Sequence, residues 1–167
     1  MLAARDDHME IARVLLAHER VDANQASSDV GTTALWFACA EGHTELVALL
    51  LAIAGIDANQ ARAYDGSTPL YMTCEKGHVT VVTLLLALDG IAVNQARTDG
   101  GVTLLFVACQ EGHVEIVKLL LAHDGIDVNK AKGGGYTPLY VACSSGHTGI
   151  VKLLLEHGGM DVNKPMD

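Results

Sequence analysis

A block of eighteen residues recurs along this chain about every 35 residues. A clear copy is GHVEIVKLLLAHDGIDVN, from Gly112 to Asn129, and a degraded first copy, DHMEIARVLLAHERVDAN, begins at Asp7. The histidines of the block are His8, His43, His78, His113 and His147. They step by 35, 35, 35 and then 34 residues. A period of this length indicates a stack of similar units, because one such unit cannot bury its own apolar surface.

A second block precedes the histidine in every copy after the first, for example GSTPLYMTCEKG from Gly66 and GYTPLYVACSSG from Gly135. The two blocks divide the chain into a truncated copy at about 1–30 and fuller copies at 31–65, 66–100, 101–134 and 135–167. Little sequence is left over for a second domain. We therefore expect a single repeat array over residues 1–167.

Each copy is predicted to form two helices joined by a tight loop. In the last copy Thr137-Pro138 is typical of a helix start, since Thr can cap and Pro tolerates the first helical position. Gly146 can adopt the left-handed conformation that ends this helix. A second helix follows from about His147 to Glu156. The second helices are apolar over most of their surface, so they must lie between neighbours.

Composition and charge narrow the classes of partner. The net charge of -9 disfavours nucleic acid and anionic membranes, because phosphate neutralisation needs clustered Lys and Arg. The chain is half hydrophobic but only 4% aromatic, which suits tight stacking of helices. No segment reaches the ~20 continuous apolar residues of a membrane span. The opening MLAARDDHME does not resemble a secretory leader. A protein partner of basic or mixed charge is the class that these observations leave.

The four cysteines occupy one equivalent position in successive copies, namely Cys39, Cys74, Cys109 and Cys143. Equivalent positions on stacked helices are ~8–10 Å apart, which is too far for a disulfide without backbone movement. We predict buried free thiols in a reducing compartment, the cytoplasm or the nucleus.

The combined motif G-x-T-P-L-[aromatic]-x-A-C-x-x-G-H-x-x-[IV]-V-x-L-L-L, followed by D-V-N, resembles the ankyrin repeat over nearly the whole chain. The resemblance implies an all-α, ankyrin-type helix-turn-helix solenoid with β-hairpin-like projecting loops. It also implies that the concave face, formed by the loops and the first helices, binds a protein partner.

The sequence departs from the family pattern in two informative ways. Its period is 34 or 35 residues rather than about 33, and the added residues fall in the loops. The family's His after T-P-L is replaced by an aromatic residue, which we expect to pack in its place. The replacements are Trp36, Tyr71, Phe106 and Tyr140.

Both ends of the array lack a distinct polar capping repeat, which solenoids normally need. We expect either a domain cut from a longer array or ends that pack on something else. The expected state is a monomer whose uncapped terminal repeats can associate end to end.

Histidine and cysteine recur too regularly to indicate a special site. A Cys/His pair such as Cys109 and His113 appears in every full copy, whereas a nucleophile and its base are expected once. The loop histidines are interpreted as side chains that satisfy backbone groups. No catalytic, cofactor-binding or metal-binding residue is predicted, and no cofactor.

The loop asparagines admit two interpretations. Asn59, Asn94 and Asn129 each follow a leucine by eight residues, which resembles the segment in which ankyrin asparagines are hydroxylated in animal cells. Alternatively, each asparagine closes its loop by side-chain hydrogen bonds.

Positions that vary between copies cluster before the turn glycine and near the end of the first helix, and we predict that they bind the partner. These residues are Asp29, Val30, Thr32, Glu41, Arg62, Tyr64, Asp65, Ser67, Glu75, Lys76, Arg97, Asp99, Val102, Gln110, Glu111, Tyr136, Ser144 and Ser145. Aromatic and Arg side chains dominate binding hot spots, so Tyr64, Tyr136, Arg62 and Arg97 are the expected anchors.

The sequence thus predicts a non-catalytic scaffold that binds a protein partner. Two alternatives stay open. The chain could be the targeting segment of a larger enzyme, such as a kinase or a ubiquitin-ligase subunit. It could also be a structural or engineered array without an evolved partner, because fold alone does not imply function.

Overall fold

The computed structural model of the chain describes residues 8–18 and 20–163. Within these ranges the chain forms nine α-helices and no β-strand, so the predicted all-α class is confirmed. The helices are α1 (Met9–Leu16), α2 (Ala34–Glu41), α3 (Thr44–Leu51), α4 (Pro69–Lys76), α5 (Val79–Leu86), α6 (Leu104–Glu111), α7 (Val114–Leu121), α8 (Pro138–Ser144) and α9 (Thr148–His157). No described helix is long and apolar enough to cross a membrane.

The chain divides into two compact units, Met1–Ile91 and Ala92–Asp167, called here the N-terminal and the C-terminal unit. In the N-terminal unit the first helices α2 and α4 pack on each other, and the second helices α3 and α5 do the same. Each first helix also packs on the second helix of its own copy. The C-terminal unit repeats this arrangement with α6 on α8 and α7 on α9.

The core of each unit lies between the first and the second helices, and aliphatic side chains of the second helices form much of it. Leu46 and Leu50 of α3, with Val81 and Leu85 of α5, are completely or almost completely buried in the N-terminal unit. Their equivalents in the C-terminal unit, Ile116, Leu120, Ile150 and Leu154, have no exposed surface. The second helices therefore lie between neighbours, as their apolar sequences predict.

A threonine starts each of the four first helices that the structure describes. The side-chain oxygen accepts a hydrogen bond of 3.1–3.2 Å from the backbone N–H three residues later. The pairs are Thr33 with Trp36, Thr68 with Tyr71, Thr103 with Phe106, and Thr137 with Tyr140. The same cap forms whether Pro or another residue follows, because the interaction depends on the threonine alone.

Glycine ends α2 for two independent reasons. Gly42 has a φ of 75°, in the left-handed region that other residues rarely adopt. A Cβ at this position would also lie 2.6 Å from the ring of His78. Gly112, at the end of α6, stands in the same relation to His147. The loop histidine of one copy thus packs against the helix end of the copy before it.

The cysteines follow the prediction in three copies and depart from it in the fourth. Cys39, Cys74 and Cys109 are buried free thiols, and burial raises the pKa of Cys74 and of Cys109 to about 12. The prediction of burial is wrong for Cys143, which is exposed. The helix α8 covers α6, but within the described residues no further first helix follows to cover α8.

Candidate protein-interaction site

The hairpin before each first helix is closed by backbone hydrogen bonds. In the third copy the N–H of Arg62 donates to the carbonyl of Ser67 at 2.8 Å, and the N–H of Gly66 donates to the carbonyl of Arg62 at 2.9 Å. In the last copy the corresponding bond joins Lys132 to Tyr136 at 3.0 Å. This hairpin is one residue shorter, which accounts for the single 34-residue step of the period.

In the N-terminal unit a cation lies between two aromatic rings at the hairpin. The guanidinium carbon of Arg62 is 4.7 Å from the ring centroid of Trp36 and 5.7 Å from that of Tyr64. Arg62 also forms a two-pronged ion pair with Asp65, in which Nε donates to Oδ1 at 3.0 Å and Nη2 contacts Oδ2. The indole N–H of Trp36 donates to the carbonyl and to the hydroxyl oxygen of Ser67, both at 3.2 Å. Trp36 therefore packs as predicted and in addition ties down the hairpin.

Asp65 organises the interior of this hairpin. Burial by itself would raise the pKa of Asp65, but hydrogen bonds from Arg62 and Ser67 lower it well below the usual aspartate range. Its Oδ1 accepts from the backbone N–H of Ser67 at 3.0 Å and from the Ser67 hydroxyl at 2.7 Å. The carboxylate thus stays charged in a buried position because its donors are provided locally.

Three of the predicted binding residues lie inside the hairpins and not on their surface. Asp65 and Ser67 are buried in the cluster just described, and Thr32 is buried where its hydroxyl pairs with that of Ser27 at 2.9 Å. Tyr64, by contrast, is 77% exposed at the tip of its hairpin. At this hairpin Tyr64 is therefore the large exposed side chain, beside the exposed Ala63 and the partly exposed Arg62.

In the C-terminal unit two hairpins carry cations with different surroundings. Arg97 donates from Nε to Oδ1 of Asp99 at 2.7 Å, and its Nη2 contacts Oδ2. Lys132 instead lies beside aromatic rings, with Nζ 5.1 Å from the ring centroid of Phe106 and 5.4 Å from that of Tyr136.

The ring of Tyr140 completes this aromatic group in the C-terminal unit. Its centroid is 5.0 Å from that of Tyr136, at an interplanar angle of 54°. An open pocket of about 190 Å³ lies at this group. It is lined by Phe106, Gln110, Lys132, Tyr136, Tyr140, Val141 and Ser144. The pocket joins three of the predicted binding residues, namely Gln110, Tyr136 and Ser144.

The other predicted residues differ in their exposure. Asp29, Glu41, Lys76, Asp99, Glu111 and Ser145 are exposed, and Val30, Glu75, Arg97 and Val102 are partly exposed. Lys132, Phe106 and Tyr140 were not among the predicted binding residues, although they line the pocket. The repeat could have identified Lys132 from the sequence, because Lys132 occupies the same position in its copy as Arg62 and Arg97 do in theirs.

A family model described as ankyrin repeats matches residues 1–62, 52–132 and 89–166. The chain belongs to the ankyrin repeat family. Ankyrin repeats are generally protein–protein interaction modules, and the family is typically non-catalytic. Among curated proteins, none matches the sequence significantly.

The loop histidines of these ankyrin repeats hold adjacent copies together. The ring Nε2 of His78 hydrogen bonds to the carbonyl of Ala40 at 3.1 Å, and that of His147 to the carbonyl of Gln110 at 3.0 Å. A carbonyl can only accept, so the ring N–H donates in both pairs. The predicted backbone-satisfying role is confirmed for these two, although the carbonyl lies in the preceding copy. Within the described residues, no three His, Cys, Asp or Glu side chains form a group that could hold a metal ion.

The loop asparagines act in the same way between ankyrin loops. The amide Nδ2 donates to a glycine carbonyl in the following copy, from Asn59 to Gly90 at 2.9 Å and from Asn129 to Gly159 at 2.7 Å. The second interpretation of the asparagines predicts side-chain hydrogen bonds that close a single loop. The side chains do form hydrogen bonds, but these bonds join the loops of two adjacent copies. Hydroxylation of Asn59, Asn94 and Asn129 stays a prediction, which a mass gain of one oxygen atom in natively expressed protein would test.

Proposed function

We propose that this chain is a non-catalytic module that holds a protein partner on its hairpins and on the ends of its first helices. Tyr64 is the observation that carries the proposal. An aromatic side chain that is 77% exposed at a hairpin tip has no role in the packing of the repeat. Tyrosine is enriched at protein interfaces, because it offers both apolar ring surface and a polar hydroxyl.

The surroundings of Tyr64 support an anchoring role. Arg62 contacts its ring and is itself fixed by Asp65 and by the ring of Trp36. A side chain held in place before binding loses less conformational entropy when the partner arrives. Tyr and Arg are also the residue types that contribute most to binding hot spots.

The proposal is tested by affinity purification of partners from the native organism, followed by measurement of the dissociation constant for a purified partner. We expect Tyr64→Ala to weaken binding by about tenfold or more without lowering the free energy of unfolding. Val79→Ala is the matched control, since Val79 is also an exposed apolar side chain but lies on the second helix α5. Equal affinity of the parent and of Tyr64→Ala would count against the hairpin site.

End-to-end self-association is a second candidate function, favoured by the burial pattern at the terminal copies. Ile11 and Leu15 of α1 are 54% and 45% exposed, whereas the equivalent Leu46 and Leu50 of α3 are buried. Tyr140 is likewise exposed, although the equivalent Phe106 is buried. Exposed core positions of this kind favour a heterologous contact between copies of the chain.

Sedimentation equilibrium over a range of concentrations distinguishes this candidate. Self-association predicts a mass that rises with concentration in the parent and stays at that of the monomer in Val14→Glu, which places a charge on the exposed side of α1. A parent that stays monomeric at every concentration would exclude it.

A further inference from the structure

Three hairpins carry a cation at the same position of the repeat, and only one of these cations lacks a carboxylate. Arg62 is paired with Asp65, and Arg97 is paired with Asp99. Lys132 forms no ion pair with any residue that the structure describes, and its side chain contacts aromatic rings. No carboxylate of the described residues therefore neutralises its charge.

The sequence of the last hairpin explains the difference. Starting from the cation, the hairpins of the third and fourth copies read RAYDG and RTDGG. The hairpin of the last copy reads KGGG and contains no acid. The glycines also allow the aromatic arrangement. Gly134 has a φ of 83°, and a Cβ there would lie 2.8 Å from the ring of Tyr136. Glycine thus replaces the acid of the other hairpins, and its lack of a side chain leaves room for the ring of Tyr136 beside Lys132.

The result is an open pocket that combines one positive charge with apolar ring surface. Its floor includes the buried ring of Phe106, and its rim includes Tyr136 and the exposed Tyr140. In the N-terminal unit the equivalent ring, Trp36, is instead bonded to Ser67. In the C-terminal unit Phe106 stands in place of Trp36, and Tyr136 stands in place of Ser67. Because the ring of Phe106 has no N–H, it cannot form the hydrogen bond that Trp36 donates to Ser67.

We propose that this pocket, called the Lys132 pocket, binds the carboxylate of an Asp or Glu side chain in an acidic segment of the protein partner. The proposal rests on the proposed function and names the partner chemistry of that site. The incoming carboxylate supplies the acid that the last hairpin lacks, and Nζ of Lys132 donates to it as a charge-assisted hydrogen bond. An apolar residue beside the acid packs on the rings of Tyr136 and Tyr140.

The distribution of charge favours an acidic segment at this unit. Residues 92–167 contain six Lys and Arg against eight Asp and Glu, whereas residues 1–91 contain five against twelve. Long-range repulsion of an anion is therefore much weaker around the C-terminal unit, and it is screened within about 8–10 Å at physiological salt.

The test uses the full chain and a random peptide library displayed on phage, followed by titration of the selected peptides as fluorescent synthetic peptides. We expect the selected peptides to share an Asp or Glu next to an apolar residue. Lys132→Met keeps the aliphatic stem and removes the charge, so it should weaken their binding about tenfold. Lys132→Arg keeps the positive charge and should therefore bind the peptides more tightly than Lys132→Met does.

Lys152→Met is the matched control, because Lys152 is an exposed lysine of α9 in the same unit, and its affinity should equal that of the parent. Selected peptides without acids, or equal affinity of the parent and Lys132→Met, would overturn the Lys132 pocket and leave the proposed function standing. Failure of the chain to select any peptide would count against both.

Discussion

The side-chain oxygen of Asn94 accepts a hydrogen bond from the backbone N–H of Asp127, 2.8 Å away in the next copy. The amide nitrogen of the same side chain donates to the carbonyl of Gly125 at 2.7 Å. Asn24 makes the same pair of bonds with Asp57 and Gly55. One side chain therefore satisfies two backbone groups of a neighbouring loop, and adjacent copies are joined at their loops as well as through their helices.

We expect Asn94→Ala to lower the free energy of unfolding by about 1–2 kcal/mol, because a donor and an acceptor of the next loop lose their partners. Water compensates part of this loss at a loop that is not buried. Urea unfolding followed by circular dichroism measures the difference. Gln95→Ala is the control, since no hydrogen bond joins the Gln95 side chain to the described residues. Equal losses for both variants would show that the loop contact contributes nothing.

Asp65 predicts a pH dependence of stability. Hydrogen bonds from Arg62 and Ser67 outweigh the effect of burial and hold its folded pKa below the unfolded value, which is about 3.9. The resulting stabilisation is complete above the unfolded pKa and is lost as the pH falls through it toward the lowered folded pKa. Asp65→Asn should therefore cost about 1–3 kcal/mol at neutral pH, and the cost should shrink below about pH 4.

Asp99→Asn provides the comparison for this experiment, because Asp99, which pairs with Arg97, is about half exposed. Exposed pairs contribute about 1 kcal/mol or less. Denaturant titrations of both variants at several pH values measure the two effects. A cost of Asp65→Asn that stays constant down to the acid range would contradict the assignment.

The second helices predict a contrast between two leucines of the C-terminal unit. Leu120 has no exposed surface, and Leu155 is 51% exposed. Leu120→Ala should lower the free energy of unfolding by about 2–5 kcal/mol through lost burial and the cavity that remains. Leu155→Ala should change it by about 0.5 kcal/mol or less. Thermal or urea unfolding of the two variants is sufficient, and similar melting of both would refute the packing assigned to α7.

The cysteines predict one reactive thiol in the folded chain. Cys143 is exposed, whereas Cys39, Cys74 and Cys109 are buried with pKa values raised by desolvation. Because the thiolate is the reactive form, a thiol reagent at mildly alkaline pH should modify Cys143 alone in the folded protein and all four cysteines in denaturant. Mass spectrometry counts the modified residues. Rapid modification of Cys74 in the folded protein would contradict its burial.

The features that depend on neighbouring residues were predictable from the sequence. The threonine that caps α8 and the glycines that end α2 and α6 follow from the local preferences of these residue types. The stacking of α3 on α5 follows from the recurrence of one apolar pattern. Such signals recur between copies, so each copy supports the interpretation of the others.

The features that depend on which residues cover one another were not predictable. Asp65 and Tyr64 are adjacent in the sequence, yet one is buried and the other is exposed, because Arg62 and Ser67 draw the carboxylate into the hairpin. Cys143 has the same place in its copy as three buried cysteines and is nevertheless exposed.

The sequence by itself determined the period, the helix boundaries and the family, since hydrogen-bond caps and apolar spacing act over a few residues. Only the tertiary structure decided that Lys132 lies beside Phe106 and Tyr136 and that no acid among residues 8–18 and 20–163 pairs with it. Phe106 and Lys132 are distant along the chain and meet only because α8 packs on α6. A contact of that kind is set by the stacking of whole copies, and no local pattern encodes it.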